Sequence, residues 1–181
     1  MAELERALHF NPSYLEFIFI PNHPAMIDAH HAADLLKKIP SHIKTVGVVH
    51  NAEEDWLEHL LSTVPLDIIH LTGSETLEDI TYIKQQHHVM VMKSFFYTGA
   101  KSLKDIERYL PLLDYAQLSG QAPPNVIPAF GYSYDCYAIP PELLDRLRLP
   151  IPWFLAGKIE AHEIKEYEKY KNIKRLSLSI V

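Results

Sequence analysis

Short apolar runs recur along this chain, each ending in glycine or a polar residue and each followed by a segment with helical periodicity. The runs cover residues 14–20, 43–50, 66–72, 89–94, 113–119, 153–157 and 176–180. Runs of this length that are apolar nearly throughout suit strands buried on both faces, as in parallel sheets. The segments between them read as helices at 3–8, 28–38, 55–64, 75–86, 102–110 and 160–170. Pro40 and Pro65 stop two of these helices, and Asn11-Pro12 stops the first. In the first half the strands recur every roughly 20 to 25 residues, the length of a right-handed βαβ crossover. Seven strands of this kind specify an α/β chain with a (β/α) barrel of TIM type, one strand short of the usual eight, whose chemistry belongs at the carboxyl ends of the strands.

The chain has 181 residues, 48% of them hydrophobic, enough for one core, and no composition shift marks a boundary, so residues 1–181 are expected to form a single domain. A formal charge of -6 with lysine and arginine spread along the chain leaves no basic stripe, which argues against nucleic acid as a partner. The apolar runs are strand-length and interrupted by charge, and Glu3, Glu5 and Arg6 follow Met1, so neither a membrane span nor a secretory leader is expected and the cytoplasm is the expected compartment. Cys136 is the only cysteine, which excludes an internal disulfide and a cysteine-based zinc site. The eleven histidines lack metal-ligand spacing, and neither metal nor cofactor is expected. Residues 121–141 hold five prolines and no periodicity, the signature of a long loop, either a binding lid or a surface insertion.

The order of short motifs resembles the phosphoribosylanthranilate isomerase family, a barrel enzyme family of tryptophan biosynthesis. Phe17-Ile18-Phe19-Ile20-Pro21, followed by Pro24, is similar to the family's Phe-Ile-Phe-Tyr-Pro run and its Ser-Pro-Arg. Val46-Gly47-Val48-Val49-His50-Asn51 resembles Val-Gly-Val-Phe-Val-Asn. Leu66 through Glu75 is similar to Leu-Asp-Val-Val-Gln-Leu-His-Gly-Asp-Glu, the most specific match. Lys93 falls in the Ile-Lys-Ala position, Gly131, Ser133, Tyr134 and Asp135 in a Gly-Thr-Gly-Lys-Thr-Phe-Asp-Trp loop, and Phe154-Leu155-Ala156-Gly157 in Ile-Leu-Ala-Gly-Gly.

The resemblance implies an Amadori-type isomerisation of a sugar phosphate, which needs a general acid to open the ring and a general base to take a carbon-bound proton. The family's base is a cysteine in a Lys-Ile-Cys-Gly first strand, which precedes the segments matched here, and a last strand and helix complete its barrel. On that resemblance the barrel is expected to lack its first strand and last helix. The family's acid is an aspartate whose position is taken by Ser119. Ala25 stands for the arginine of Ser-Pro-Arg, Thr72 for the histidine of Leu-His-Gly, and Lys158 for a glycine. Departures therefore concentrate on the chemistry while scaffold motifs persist.

No residue is assigned to catalysis outright. Asp135 and Cys136 are candidates for replacing the lost groups, though nothing adjacent in sequence activates the Cys136 thiol and Asp135 also suits a loop cap. The candidate ligand-binding set is His70, Thr72, Lys93, Gly157, Lys158 and Ser179. His70 alternates with Thr72 and is either a polar contact in the barrel mouth or a core histidine; His50 and Asn51 carry the same ambiguity. Lys93 either meets a substrate anion or seals the barrel layer by an internal ion pair. Lys158 either adds charge to an anion site or blocks the approach that glycine permits. Tyr132, Tyr134 and Tyr137 either line a pocket or pack their loop.

Three functions follow. The first is a catalytically degenerate family member, a pseudoenzyme or binder of a small phosphorylated metabolite. The second is an active isomerase with rewired or partner-supplied residues. The third is a structural subunit that closes its open strand edges by forming a homo-oligomer.

Overall fold

The computed structural model describes residues 2–120, 138–144, 147–157, 164–167 and 175–176. These fall into two compact units, Met1–Met90 and Val91–Val181. The first unit runs α1 (Ala2–His9), β1 (Tyr14–Ile18), α2 (Ala29–Leu36), β2 (Lys44–Val49), α3 (Glu54–Thr63), β3 (Ile68–Leu71) and α4 (Leu77–Gln86). The second runs β4 (Met90–Phe96), α5 (Ala100–Tyr109) with a 3-10 turn at Leu110–Leu112, β5 (Tyr115–Ser119), α6 (Pro141–Leu144), β6 (Trp153–Leu155), α7 (Ile164–Tyr167) and β7 (Arg175–Leu176). Six of the expected strands occur, most of them shorter at their ends than the apolar runs, and of the seventh run, 176–180, only Leu176, in β7, is among the described residues. The short helix α6 was not legible in the proline-rich stretch, and residues 121–137 lie outside the described residues.

In the first unit β1 pairs with β2 and β2 with β3, all parallel. The register aligns Glu16 with Val46 and Val46 with Ile68, and Ile18 with Val48 and Val48 with His70. Side chains alternate along a strand, so Glu16, Ile18, Val46, Val48, Ile68 and His70 share one sheet face, and Phe17, Gly47, Val49, Ile69 and Leu71 the other. Helices α3 and α4 each bury a pair at i, i+3, Leu57 with Leu60 and Ile80 with Ile83. Burying such side chains contributes about 1.5–3 kcal/mol each. Helix α4 begins at Leu77, two residues later than the helical pattern, because Thr76 and Asp79 close a capping box that satisfies two backbone donors.

In the second unit β4 to β7 are parallel in sequence order. Lys93 aligns with Ala116 and Trp153, and Phe95 with Leu118 and Leu155. That face packs on α5 and the turn after it: Ala116, Leu118, Trp153 and Leu155 form one core with Ile106, Leu110, Ile139, Leu144 and Leu147. Gly99 precedes α5 at φ 121°, a conformation that favours glycine. Ser102 closes the same turn, accepting from the Thr98 N–H at 2.9 Å and donating to the Gly99 carbonyl at 2.9 Å.

Candidate functional site

At the carboxyl ends of β2 and β3 the first unit carries a polar network. The Glu75 carboxylate, 8% exposed, accepts the Asn51 N–H at 2.9 Å and the Gly73 N–H at 3.1 and 3.0 Å. Asn51 sits at φ 47°, a left-handed conformation asparagine tolerates. From there its Oδ1 accepts the Ser74 N–H at 2.7 Å and the Ser74 hydroxyl at 3.1 Å. The Thr72 hydroxyl donates to the Val49 carbonyl at 2.8 Å, and His50 Nδ1 lies 3.4 Å from Thr72 Oγ1. Two strand-end loops are thus locked together, with His50 and Thr72 beside the lock. The Gly-Ser-Glu segment that carried the most specific motif match therefore has a structural basis in Glu75, which composition and periodicity did not single out. The readable signal was a carboxylate two residues after a glycine, close enough to bond back to it.

His70 is the penultimate residue of β3 and is 2% exposed. Its Nδ1 lies 3.4 Å from Glu16 Oε1, a carboxylate presented by β1 from the same sheet face. That separation is longer than an ordinary N–H···O bond. Glu16 was missed in the sequence. The signal for it was a charge at an alternate position of an otherwise apolar strand, in phase with Ile18.

In the second unit Ser119 ends β5, aligned with Phe96 and 3% exposed, and its carbonyl accepts the Tyr97 N–H at 2.8 Å. Gln117, two residues earlier on the same face, accepts from the Ser94 hydroxyl at 2.9 Å. Lys93 is on the opposite face, the one packed on α5. Its Nζ lies 5.9 Å from the Phe95 ring centroid and 5.8 Å from that of Tyr109 in α5. This takes the ammonium away from the face that carries Ser119 and toward two aromatic rings. Gly157 follows β6 at φ 119°, so its backbone form favours glycine. Asp135, Cys136, Lys158 and Ser179, like Tyr132, Tyr134 and Tyr137, lie outside the described residues. Among the described residues no three histidine, cysteine or carboxylate groups gather as a metal site, and no helix is long and apolar enough to cross a membrane.

The family model for N-(5'phosphoribosyl)anthranilate (PRA) isomerase matches residues 2–179. The N-(5'-phosphoribosyl)anthranilate isomerase of Rhizobium meliloti (strain 1021) is 30% identical over 165 residues, which is 90% of this chain and 74% of that protein. That of Agrobacterium fabrum is 32% identical over 165 residues, 90% of this chain and 73% of its own. Among solved structures, the isomerase from Thermus thermophilus superposes with a TM-score of 0.75 at 20% identity, covering 97% of this chain and 82% of that one. The isomerase from Thermotoga maritima gives 0.76 at 20%, covering 96% and 81%. These likenesses establish the fold as a TIM-type (β/α) barrel, here with seven strands among the described residues. With a family match across nearly its whole length and the barrel fold to go with it, the chain belongs to the N-(5'-phosphoribosyl)anthranilate isomerase family.

Proposed function

We propose that this chain is a catalytically degenerate member of its family, a single cytoplasmic barrel domain that holds a small phosphorylated metabolite and isomerises phosphoribosylanthranilate far more slowly than an ordinary enzyme. The observation that carries this reading is Ser119. It occupies the end of β5, where the resemblance puts the general acid, and an aliphatic hydroxyl does not release a proton near neutral pH. Thr72 adds support. It replaces the family's histidine, and its hydroxyl proton is committed to the Val49 carbonyl. A neutral residue at Ala25 in place of arginine also weakens hold on an anionic substrate.

The test is turnover of phosphoribosylanthranilate by the purified protein, alongside calorimetric binding of reduced 1-(o-carboxyphenylamino)-1-deoxyribulose 5-phosphate, the compound bound in one solved family structure. A general acid is worth on the order of 10² to 10⁴ in rate. Binding with turnover below about 10⁻² s⁻¹ is expected. Turnover near 1 s⁻¹ or faster overturns the reading in favour of an active isomerase with rewired residues. One solved relative, from Thermotoga maritima, is described as dimeric, and homo-oligomerisation of this chain is checked in the same preparation by its sedimentation.

A further inference from the structure

The helical surface of the first unit holds two histidines that the strand-end network does not use. His30 lies in the first turn of α2 and His59 in the middle of α3, and their rings stand 6.4 Å apart between centroids at an interplanar angle of 75°. Both residues are exposed. Among the described residues neither ring makes a hydrogen bond or an ion pair, so the contact with each other is the one their side chains have. The backbone beneath them is anchored: Ala32 is buried on α2 and Leu57 and Leu60 on α3, and the Asp28 carboxylate caps α2 by accepting the His31 N–H at 2.9 Å. Helix α3 carries Glu54, Asp55 and Glu58 and neither lysine nor arginine, a balance that draws cations toward it. On α2, Asp34 is already paired with Lys37 at 2.7 Å.

We propose that His30 and His59 together bind one divalent ion of the copper, nickel or zinc class and so clasp α2 to α3. Neutral imidazole suits these ions, whereas magnesium and calcium take oxygen ligands. With metal–nitrogen bonds of about 2.0–2.1 Å, two rings that share an ion at a tetrahedral angle bring their centroids to roughly 5 Å. The 6.4 Å between these rings exceeds that by only about 1 Å. Exposed side chains change rotamer within picoseconds to nanoseconds and the χ2 of histidine is broad, so both rings can turn a nitrogen toward one ion while their helices stay in place. Each nitrogen donates a lone pair and displaces one water from the ion. No third histidine, cysteine or carboxylate joins them among the described residues, so water fills the remaining positions and affinity rests on both imidazoles acting at once. The clasp lies on the helices rather than at the strand ends and is independent of any turnover there.

The chain carries its own reporter. Trp56 stands three residues before His59, a neighbouring position on the surface of α3, and is 36% exposed, whereas Trp153, the other tryptophan, is 2% exposed. Copper(II) quenches indole emission at short range, so Trp56 reads occupancy. The full chain, free of any histidine tag, is titrated with Zn2+ by calorimetry and with Cu2+ by fluorescence, alongside His30→Gln, His59→Gln and, as a control, His88→Gln, an exposed histidine beyond α4. All four proteins are expected to melt alike in EDTA, because each substitution is on the surface. Wild type is expected to take up one equivalent and to quench. Either pair variant is expected to lose about 10-fold or more in affinity, and His88→Gln none. Zinc at a hundredfold excess over its Kd is expected to raise the wild-type Tm by about 5 °C and to leave that of both pair variants nearly unmoved. No binding by wild type, or equal affinity in wild type and both pair variants, overturns the site. A loss in one pair variant alone assigns the ion to a single imidazole and overturns the clasp. Calorimetric binding without quenching puts the ion elsewhere, and displacement of Zn2+ by equimolar Mg2+ points to carboxylates; each overturns the inference.

Discussion

The two units start their strands alike and end them differently. Asp67 stands just before β3 and Asp114 just before β5, each after a leucine. Asp67 gives its N–H to the Thr45 carbonyl at 3.1 Å and takes the Thr45 N–H on its carboxylate at 2.9 Å. Asp114 does the same with Val91, at 2.9 and 2.8 Å. One residue thereby bonds both backbone groups of a residue on the preceding strand and pins the register, which a shift of one would invert. At the carboxyl ends the likeness stops. The first unit has the Glu75 and Asn51 lock and the Glu16–His70 pair, and the second has Ser119, Gln117 and Ser94. Strand starts serve a shared requirement of the fold, while strand ends are free to differ because function, not register, selects them.

Two units that belong to one domain melt together, and the largest expected effects test that. Trp153 is 2% exposed in the second unit's core, and Leu60 is 1% exposed in the first. Trp153→Ala is expected to cost about 3–5 kcal/mol and Leu60→Ala about 2–5 kcal/mol. For a chain of this size that is a fall of roughly 10 °C in Tm. Calorimetry is expected to show one transition that moves in both variants. Two transitions, with each variant moving only its own, would separate the units into domains and break the single-domain reading.

The lock at the strand ends is tested next. A Cβ on Gly73 would meet the Asn51 side chain and lie 2.9 Å from the Asn51 backbone nitrogen. Backbone cannot yield as a side chain can, so Gly73→Ala is expected to cost about 1–3 kcal/mol and to speed hydrogen exchange at Asn51 and Ser74. Gly47→Ala meets the tip of the Leu66 side chain, with Phe19 3.3 Å away, and Leu66 can rotate. It is expected to cost less. Equal losses in thermal melts of the two variants would show that the lock is no stiffer than ordinary core packing.

Strand starts were easier to read than strand ends, and the reason is physical. Apolar runs bounded by proline, asparagine and glycine located β1 to β6, because burial on both faces leaves little choice of residue. The residues of the lock do not repeat with any period. Glu75 reads as an acidic residue near a helix start, and only the fold brings it to Asn51, 24 residues away. Likewise nothing local in sequence joins Glu16 to His70, since the pair exists only through two register alignments. Lys93 was placed on the right strand, but alternation alone left open which face held the helix. The Ala116 and Leu118 core against α5 decides it.

The smallest effects concern two aspartates whose carboxyls are both held below the ordinary value. Burial alone would raise Asp67, but hydrogen bonds from Lys44 and from the Thr45 N–H and hydroxyl, with the Lys44 charge, outweigh it. Asp34 is lowered chiefly by its hydrogen bond and charge attraction to Lys37. A depressed native pKa stabilises the fold above the unfolded value, near 3.9, and that contribution is lost as pH falls through the native pKa. Asp67→Asn is therefore expected to lower stability at pH 7 by about 1 kcal/mol, with the gap from wild type closing as the solution is acidified below about pH 4. Asp34 differs because water screens both partners: its side chain is 71% exposed and that of Lys37 74%. A pair so exposed gains little from attraction and loses side-chain freedom, so Asp34→Asn should leave the melting temperature unchanged at every pH. Equal pH-dependent losses in the two variants would mean that the strand-start aspartate works by charge alone, and that the backbone bonds it shares with Thr45 add nothing.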